Sequence, residues 1–148
     1  MSRNHLIYVL TLATLFVAIP AQAQEYLPFE ITKDKKLIVK AKVEGKERIL
    51  IVDTGAVDLL LDPSVVGMKS SDLTKRGPWN PNGPLKIAER MIAIEIVGRK
   101  FGIMAAILDC KRISEISGKK VDGIIGIFIL EQFKKVTFNF ERQRLEFF

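Results

Sequence analysis

An aliphatic, β-type run from Arg48 to Val52 climbs directly into Asp53-Thr54-Gly55, and a second apolar run, Leu59-Leu60-Leu61, leaves it. Apolar residues on both sides place Asp53 at the end of a buried strand, where an ionised group is costly unless something compensates it. Gly55 permits a tight turn and lets a backbone or ligand approach closely. The common fate of Asp before Gly is an Asx-type bond to its own turn. A lone acid set at the end of a buried strand also suits a second use, as a chemical group held ready. Either way the chain must build β-structure around this turn.

The flanking pattern agrees. Leu37 to Val43 reads as a strand, Glu44-Gly45-Lys46-Glu47 as a hairpin turn, and Arg48 to Val52 as the returning strand. Asp62-Pro63-Ser64 closes the run after Leu61. Residues 67–84 carry Gly67, Gly77, Pro78, Pro81, Gly83 and Pro84 and read as loop, with Trp79 exposed among them. Leu85 to Ala88, Met91 to Val97 and Phe101 to Leu108 read as strands. Lys111 to Lys120 is polar and reads as loop. Ile127 to Lys134 fits one or two helical turns, and Val136 to Phe148 alternates as a terminal hairpin. Many short strands with a single late helix predict a mainly β, barrel-like fold. At 148 residues the chain is long enough for one domain with a real core.

Residues 1–23 read as an export signal. Arg3 supplies the positive start, Leu6 to Ile19 is almost unbroken apolar sequence, and Ala21-Gln22-Ala23 follows Pro20 as a cleavage site. The apolar stretch is shorter than the ~20 residues of a spanning helix. The expectation is a cleaved signal, a domain over 24–148, a periplasmic or secreted location, and no stable membrane insertion afterwards. The only histidine, His5, leaves with the signal. Ser-His-Asp and Cys-His catalysis and His-based zinc sites are therefore not expected within the mature chain, and neither is a metal or cofactor. Cys110 stands alone, which removes intrachain disulfides. An intermolecular bridge competes there with a partly buried small residue. The 23 Lys and Arg against 17 Asp and Glu are scattered, with no run longer than Lys33-Asp34-Lys35-Lys36. No nucleic-acid motif accompanies them.

Two carboxylates that share one proton can hydrolyse a peptide bond without metal or covalent intermediate. Like charges about 3 Å apart cannot both ionise, so one acts as base and the other as acid. This sequence holds Asp-Thr-Gly once, which is half of such a pair. Val52-Asp53-Thr54-Gly55-Ala56 is followed about 70 residues later by Ile124-Ile125-Gly126, then a helix and a strand. On these two motifs the chain resembles the retropepsin-like, single-lobe aspartic proteases, over residues 31–148.

The resemblance implies a closed β-barrel lobe with one short C-terminal helix, and an aspartic endopeptidase that acts on polypeptides as a homodimer. It makes Asp53 the acid/base, gives Thr54 a hydrogen bond across the dimer axis, and has Gly55 offer backbone to substrate. Ala56 and Trp79 would meet substrate, and Ile124 and Ile125 would pack behind the loop or wall a side-chain pocket. Strand Leu145–Phe148 would interleave with its counterpart in the second copy. Two departures stand out. Val57 and Ile127 occupy places where retroviral members carry an Asp–Arg ion pair, and an apolar contact there would leave no buried charge behind. The cover over the cleft, Gly77 to Gly83, carries Pro78 and Pro81 where members have a Gly-rich hairpin. A non-catalytic exported binding module on the same fold stays open as the alternative.

Overall fold

The structure, a computed structural model, describes residues 25–80 and 83–148; for 75–80, 83 and 84 the description is confined to the backbone. The expected signal segment 1–23 lies outside the described residues. The strands are β1 (Glu25–Ile31), β2 (Leu37–Val43), β3 (Lys46–Val52), β4 (Leu59–Leu61), β5 (Lys75–Asn80), β6 (Gly83–Ile96), β7 (Arg99–Ile107), β8 (Gly123–Ile125), β9 (Val136–Asn139) and β10 (Arg144–Phe147). Two short helices accompany them among the described residues, α1 (Lys111–Ser117) and α2 (Ile127–Leu130).

Six strands close a ring in the order β6-β7-β4-β8-β3-β2, and β2 returns to β6 through Lys42↔Glu95 and Val43↔Ile94. The architecture is mainly β, a closed barrel. Alternation drives the closure: Ile92, Ile94 and Ile96 of β6 and Ile103, Ala105 and Ile107 of β7 all point inward and are buried. Val39, Val43, Leu50, Leu59, Leu61 and Ile125 meet them in one core. The hairpin between β2 and β3 is a two-residue turn with Glu44 at φ 49° and Gly45 at φ 74°. Both central residues thus have the positive φ of the turn type whose twist matches the flanking strands.

One connection matters most for the site. β3 and β4, the strands on either side of Asp53-Thr54-Gly55, do not pair with each other. β8 lies between them, parallel to β3 (Val52↔Ile125) and antiparallel to β4 (Leu60↔Ile124). The Asp53 turn therefore bridges over the end of β8.

Several expectations change. Residues 67–84 are not simply loop: a 3-10 turn at Ser70–Asp72 leads into β5, which pairs with β6 from Lys75↔Ile87 to Asn80↔Gly83. The ladder shifts between Arg76 and Trp79, where Pro78 has no N–H to give. Lys111–Ser117 is a helix, not a loop. Asp109 Oδ1 accepts the Lys111 N–H at its start, Gly118 ends it at φ 66°, and Ile113 packs on Ile38, Ile51, Val121 and Ile124. The expected late helix is shorter, four residues followed by turns to Phe133. The lead Glu25–Glu30 is strand β1.

The terminal strand also behaves differently from the interleaved arrangement that the resemblance implied. β10 lies between β1 and β9 of its own chain, with Leu27↔Leu145 on one side and Leu145↔Phe138 on the other. Both of its edges are used, and Leu145 and Phe147 are core residues. Removing 145–148 would open the core rather than merely release a partner.

Cys110 is 1 % exposed. Its thiol is pushed up to about 12, first by burial and then by the negative charge of Asp62, Asp109 and Asp122. The thiolate is the reactive form. The native protein should therefore leave Cys110 unlabelled by iodoacetamide at pH 8 over hours, with one label gained on denaturation. Rapid native labelling or a dimeric disulfide would contradict this burial.

Candidate active site

Asp53 leaves β3 with its backbone held on both sides: its N–H donates to Ile125 O at 3.0 Å, and its carbonyl accepts the Ala56 N–H at 3.1 Å. One carboxylate oxygen, Oδ1, accepts the Gly55 N–H at 2.9 Å. The carboxylate makes no other hydrogen bond among the described residues. One oxygen thus fixes the orientation of the group, the other carries no hydrogen bond among the described residues, and Asp53 lines an open groove.

The second motif buttresses this turn from behind. Ile127 N–H donates to Ala56 O at 2.8 Å and Phe128 N–H to Val57 O at 3.0 Å, so the first amides of α2, which lack intrahelical partners, satisfy the loop's carbonyls. Gly126 makes this approach possible. A Cβ there would stand 2.4 Å from Asp58 O and 2.6 Å from the Val57 carbonyl. Gly123, at the start of β8, allows an equally close approach, since a Cβ there would lie 2.2 Å from Leu60 O.

Thr54 is exposed, as is Gly55, and Ala56 is half-buried against the small cluster around Ile124. Ile125 is 1 % exposed and belongs to the main core, so its side chain supports the loop from inside. Ile124 is nearly as buried, in the cluster with Ile38, Ile51 and Val121. Neither isoleucine walls the groove at Asp53. Trp79 has its backbone in β5, opposite Pro84; its side chain lies outside the described residues, as do Pro81 and Asn82. Val57 is 64 % exposed, so little of its side chain is buried at the place where retroviral members carry an ion pair. Backbone hydrogen bonds tie the two segments instead.

The other acids are structural. Asp122 is buried, accepts the Ile49 N–H through Oδ2 at 2.9 Å and lies 3.4 Å from Lys120 Nζ. Asp62 caps the 3-10 turn Pro63–Val66. Burial pushes its carboxyl up, but the Ser64 hydroxyl and the Cys110 and Ser64 N–H groups outweigh this and hold it below the usual range.

The groove at Asp53 encloses about 380 Å³, within the size range of ligand pockets. Besides Val52, Asp53 and Thr54 it is lined by Lys35, Lys36, Leu37, Phe138 and Phe140. Nothing in the motif pattern marked those five. The Lys pair stood out only as a short charge run, and the two phenylalanines only as a terminal hairpin.

No protein-family model matches the sequence, and no curated protein matches it. Solved structures do match. A retropepsin-like aspartic protease from Rickettsia conorii superposes with a TM-score of 0.61 at 22% identity, over 84% of this chain and 89% of that one. EIAV protease in complex with the inhibitor HBY-793 matches at 17% identity and a TM-score of 0.47, over 68% of this chain and 89% of that one. The retroviral protease-like domain of Ddi1 from Leishmania major matches at 16% and 0.49, over 76% and 94%. The fold assignment rests on the first of these together with the six-stranded ring and the β8 insertion behind Asp53. This chain has the retropepsin-like fold.

Proposed function

We propose that this chain is an exported aspartic endopeptidase whose site is completed by a second copy. The observation that carries the reading is the state of Asp53. Its carboxylate is oriented through one oxygen, open at the other, and mounted on a loop braced by Gly126 at the mouth of a groove.

In the proposed reaction two Asp53 groups share one proton across a two-fold axis. The ionised one takes a proton from a water lying between them as the water oxygen bonds to the peptide carbonyl carbon. The protonated one gives its proton to the carbonyl oxygen. The tetrahedral diol then collapses as the C–N bond breaks, with a proton passed to the leaving nitrogen, and the shared proton is restored.

One observation favours the second reading, a peptide-binding module without turnover: Val57, exposed beside the Asp53 turn, stands where retroviral members carry an Asp. Purified residues 24–148 incubated with an unstructured protein from acidic to neutral pH separate the two. The expected result is cleavage that vanishes in Asp53→Asn while thermal stability at mildly acidic pH is kept, because relieving a like-charge pair does not weaken the fold. No cleavage at any pH, from a protein that sediments as a monomer, would leave the binding module standing. A large loss of stability in Asp53→Asn would count against a shared-proton pair.

A further inference from the structure

We propose that Lys35 and Lys36 form a subsite beside Asp53 that selects an acidic side chain in an extended polypeptide, with a neighbouring apolar residue resting on Phe138 and Phe140. This rests on the proteolytic or peptide-binding use of the same groove and names the class of chain it takes.

The turn between β1 and β2 is built to hold these lysines in place. Thr32 N–H donates to Lys36 O at 2.9 Å, Lys36 N–H to Thr32 Oγ1 at 2.9 Å, and Lys35 N–H to Thr32 O at 3.0 Å. Ile31↔Leu37 clamps the base of the turn, and Lys35 sits at φ 64°, a conformation that a non-glycine residue holds only where its surroundings impose it. The Thr32 hydroxyl donates to Asp34, which ties the one acid of the loop to a side chain of the same turn. Both lysines are exposed, and among the described residues neither forms an ion pair. Two cations are thus presented on a fixed turn, uncompensated, at the edge of the groove that holds Asp53.

The floor is apolar. Leu37, Val52, Phe138 and Phe140 line it, and the Phe140 ring is steadied edge-on against Phe29 at 5.6 Å between centroids. Phe140 is 59 % exposed, so its face is available. A groove lined by two lysines and by two aromatic rings suits a carboxylate side chain next to an apolar one. Asp53 sets the limit on charge. A single carboxylate at the lysines is compatible with it, whereas a polyphosphate backbone running past Asp53 would be repelled.

The test uses residues 24–148 and fluorescein-labelled peptides with a Phe-Leu centre, in which one Glu is moved stepwise along either flank, each paired with its Gln counterpart. Binding is read by anisotropy with the Asp53→Asn protein, and cleavage with the parent. Exposed pairs of this kind are individually weak, so the expected preference for Glu at the best position is roughly three- to tenfold at low salt. It should shrink in 0.5 M salt and vanish in a Lys35→Gln, Lys36→Gln double variant. Equal binding of Glu and Gln peptides at every position, or a preference that survives the double substitution, overturns the subsite. So does a double variant that sediments as a monomer where the parent is a dimer, since the lysines would then hold the second copy. Failure to cleave any peptide sinks the hydrolase but not the subsite, because the binding arm still scores the lysines. Cleavage without a Glu preference does the reverse.

Discussion

Alanine at position 126 is expected to cost the fold about 3 kcal/mol or more, the range of severe overpacking, and to displace the Asp53 turn. The argument is spatial, since Gly126 has φ −86°, which any residue adopts. The added carbon would stand 2.4 Å from Asp58 O and 2.6 Å from both the carbon and oxygen of the Val57 carbonyl. All three are backbone atoms, so no side chain can swing aside. The same backbone is held in place by the Ile127 and Phe128 amides, so relief by loop movement would break two hydrogen bonds. Gly102→Ala is the control: it lies in β7, has ordinary φ, and nothing stands within 4 Å of its Cβ position. Urea unfolding of the two variants beside the parent checks the claim. A Gly126→Ala protein as stable as Gly102→Ala would show that the second motif does not brace the first.

That bracing explains what was legible in the sequence. Arg48–Val52, Asp53-Thr54-Gly55 and Leu59–Leu61 read correctly as strand, turn and strand, because short-range apolar runs interrupted by Gly and Asp carry their own signal. Gly126 was visible as a motif because close backbone approach leaves a glycine in the sequence. α1 was not visible: its residues are mostly polar, and Ile113 is its only apolar residue that packs inward, on a cluster assembled from distant strands. β5 was hidden by Gly77 and Pro78, which its antiparallel partner β6 overrides. Ile125 illustrates a different limit. It lies where the resemblance allowed a substrate contact, yet strand pairing with Val52 turns its side chain into the core. The lysines and phenylalanines of the groove come from the two ends of the domain. Only the pairing of β1 with both β2 and β10 brings those ends together.

Proline at position 136 is expected to turn the proposed dimer into a folded monomer and to remove at least about 99% of its cleavage, since half a carboxylate pair has little activity left. β10 has no free edge, so a second copy cannot insert there, and β9 is left as the outer strand of its sheet. The orientation of its amides follows from one bond. Phe148 N–H donates to Lys135 O at 3.0 Å, which marks that pair as a hydrogen-bonded one. Val136, directly opposite Phe147, is then at the alternate, non-bonded position, and its N–H and C=O face the free edge, as do those of Phe138. Such an edge invites a strand from another chain. Phe138 and Phe140 also line the Asp53 groove, so a copy seated on β9 would arrive beside the carboxylate that needs a partner. Val136→Pro removes an outward N–H and spares the ladder to β10, a setting in which a strand tolerates proline. Thr137→Pro, whose N–H faces β10, should instead damage the fold itself. Sedimentation, circular dichroism and peptide cleavage of the two variants read the difference. A Val136→Pro protein that still dimerises and cleaves would place the contact between copies on another surface, and a parent that is monomeric at every concentration would remove the paired carboxylates altogether.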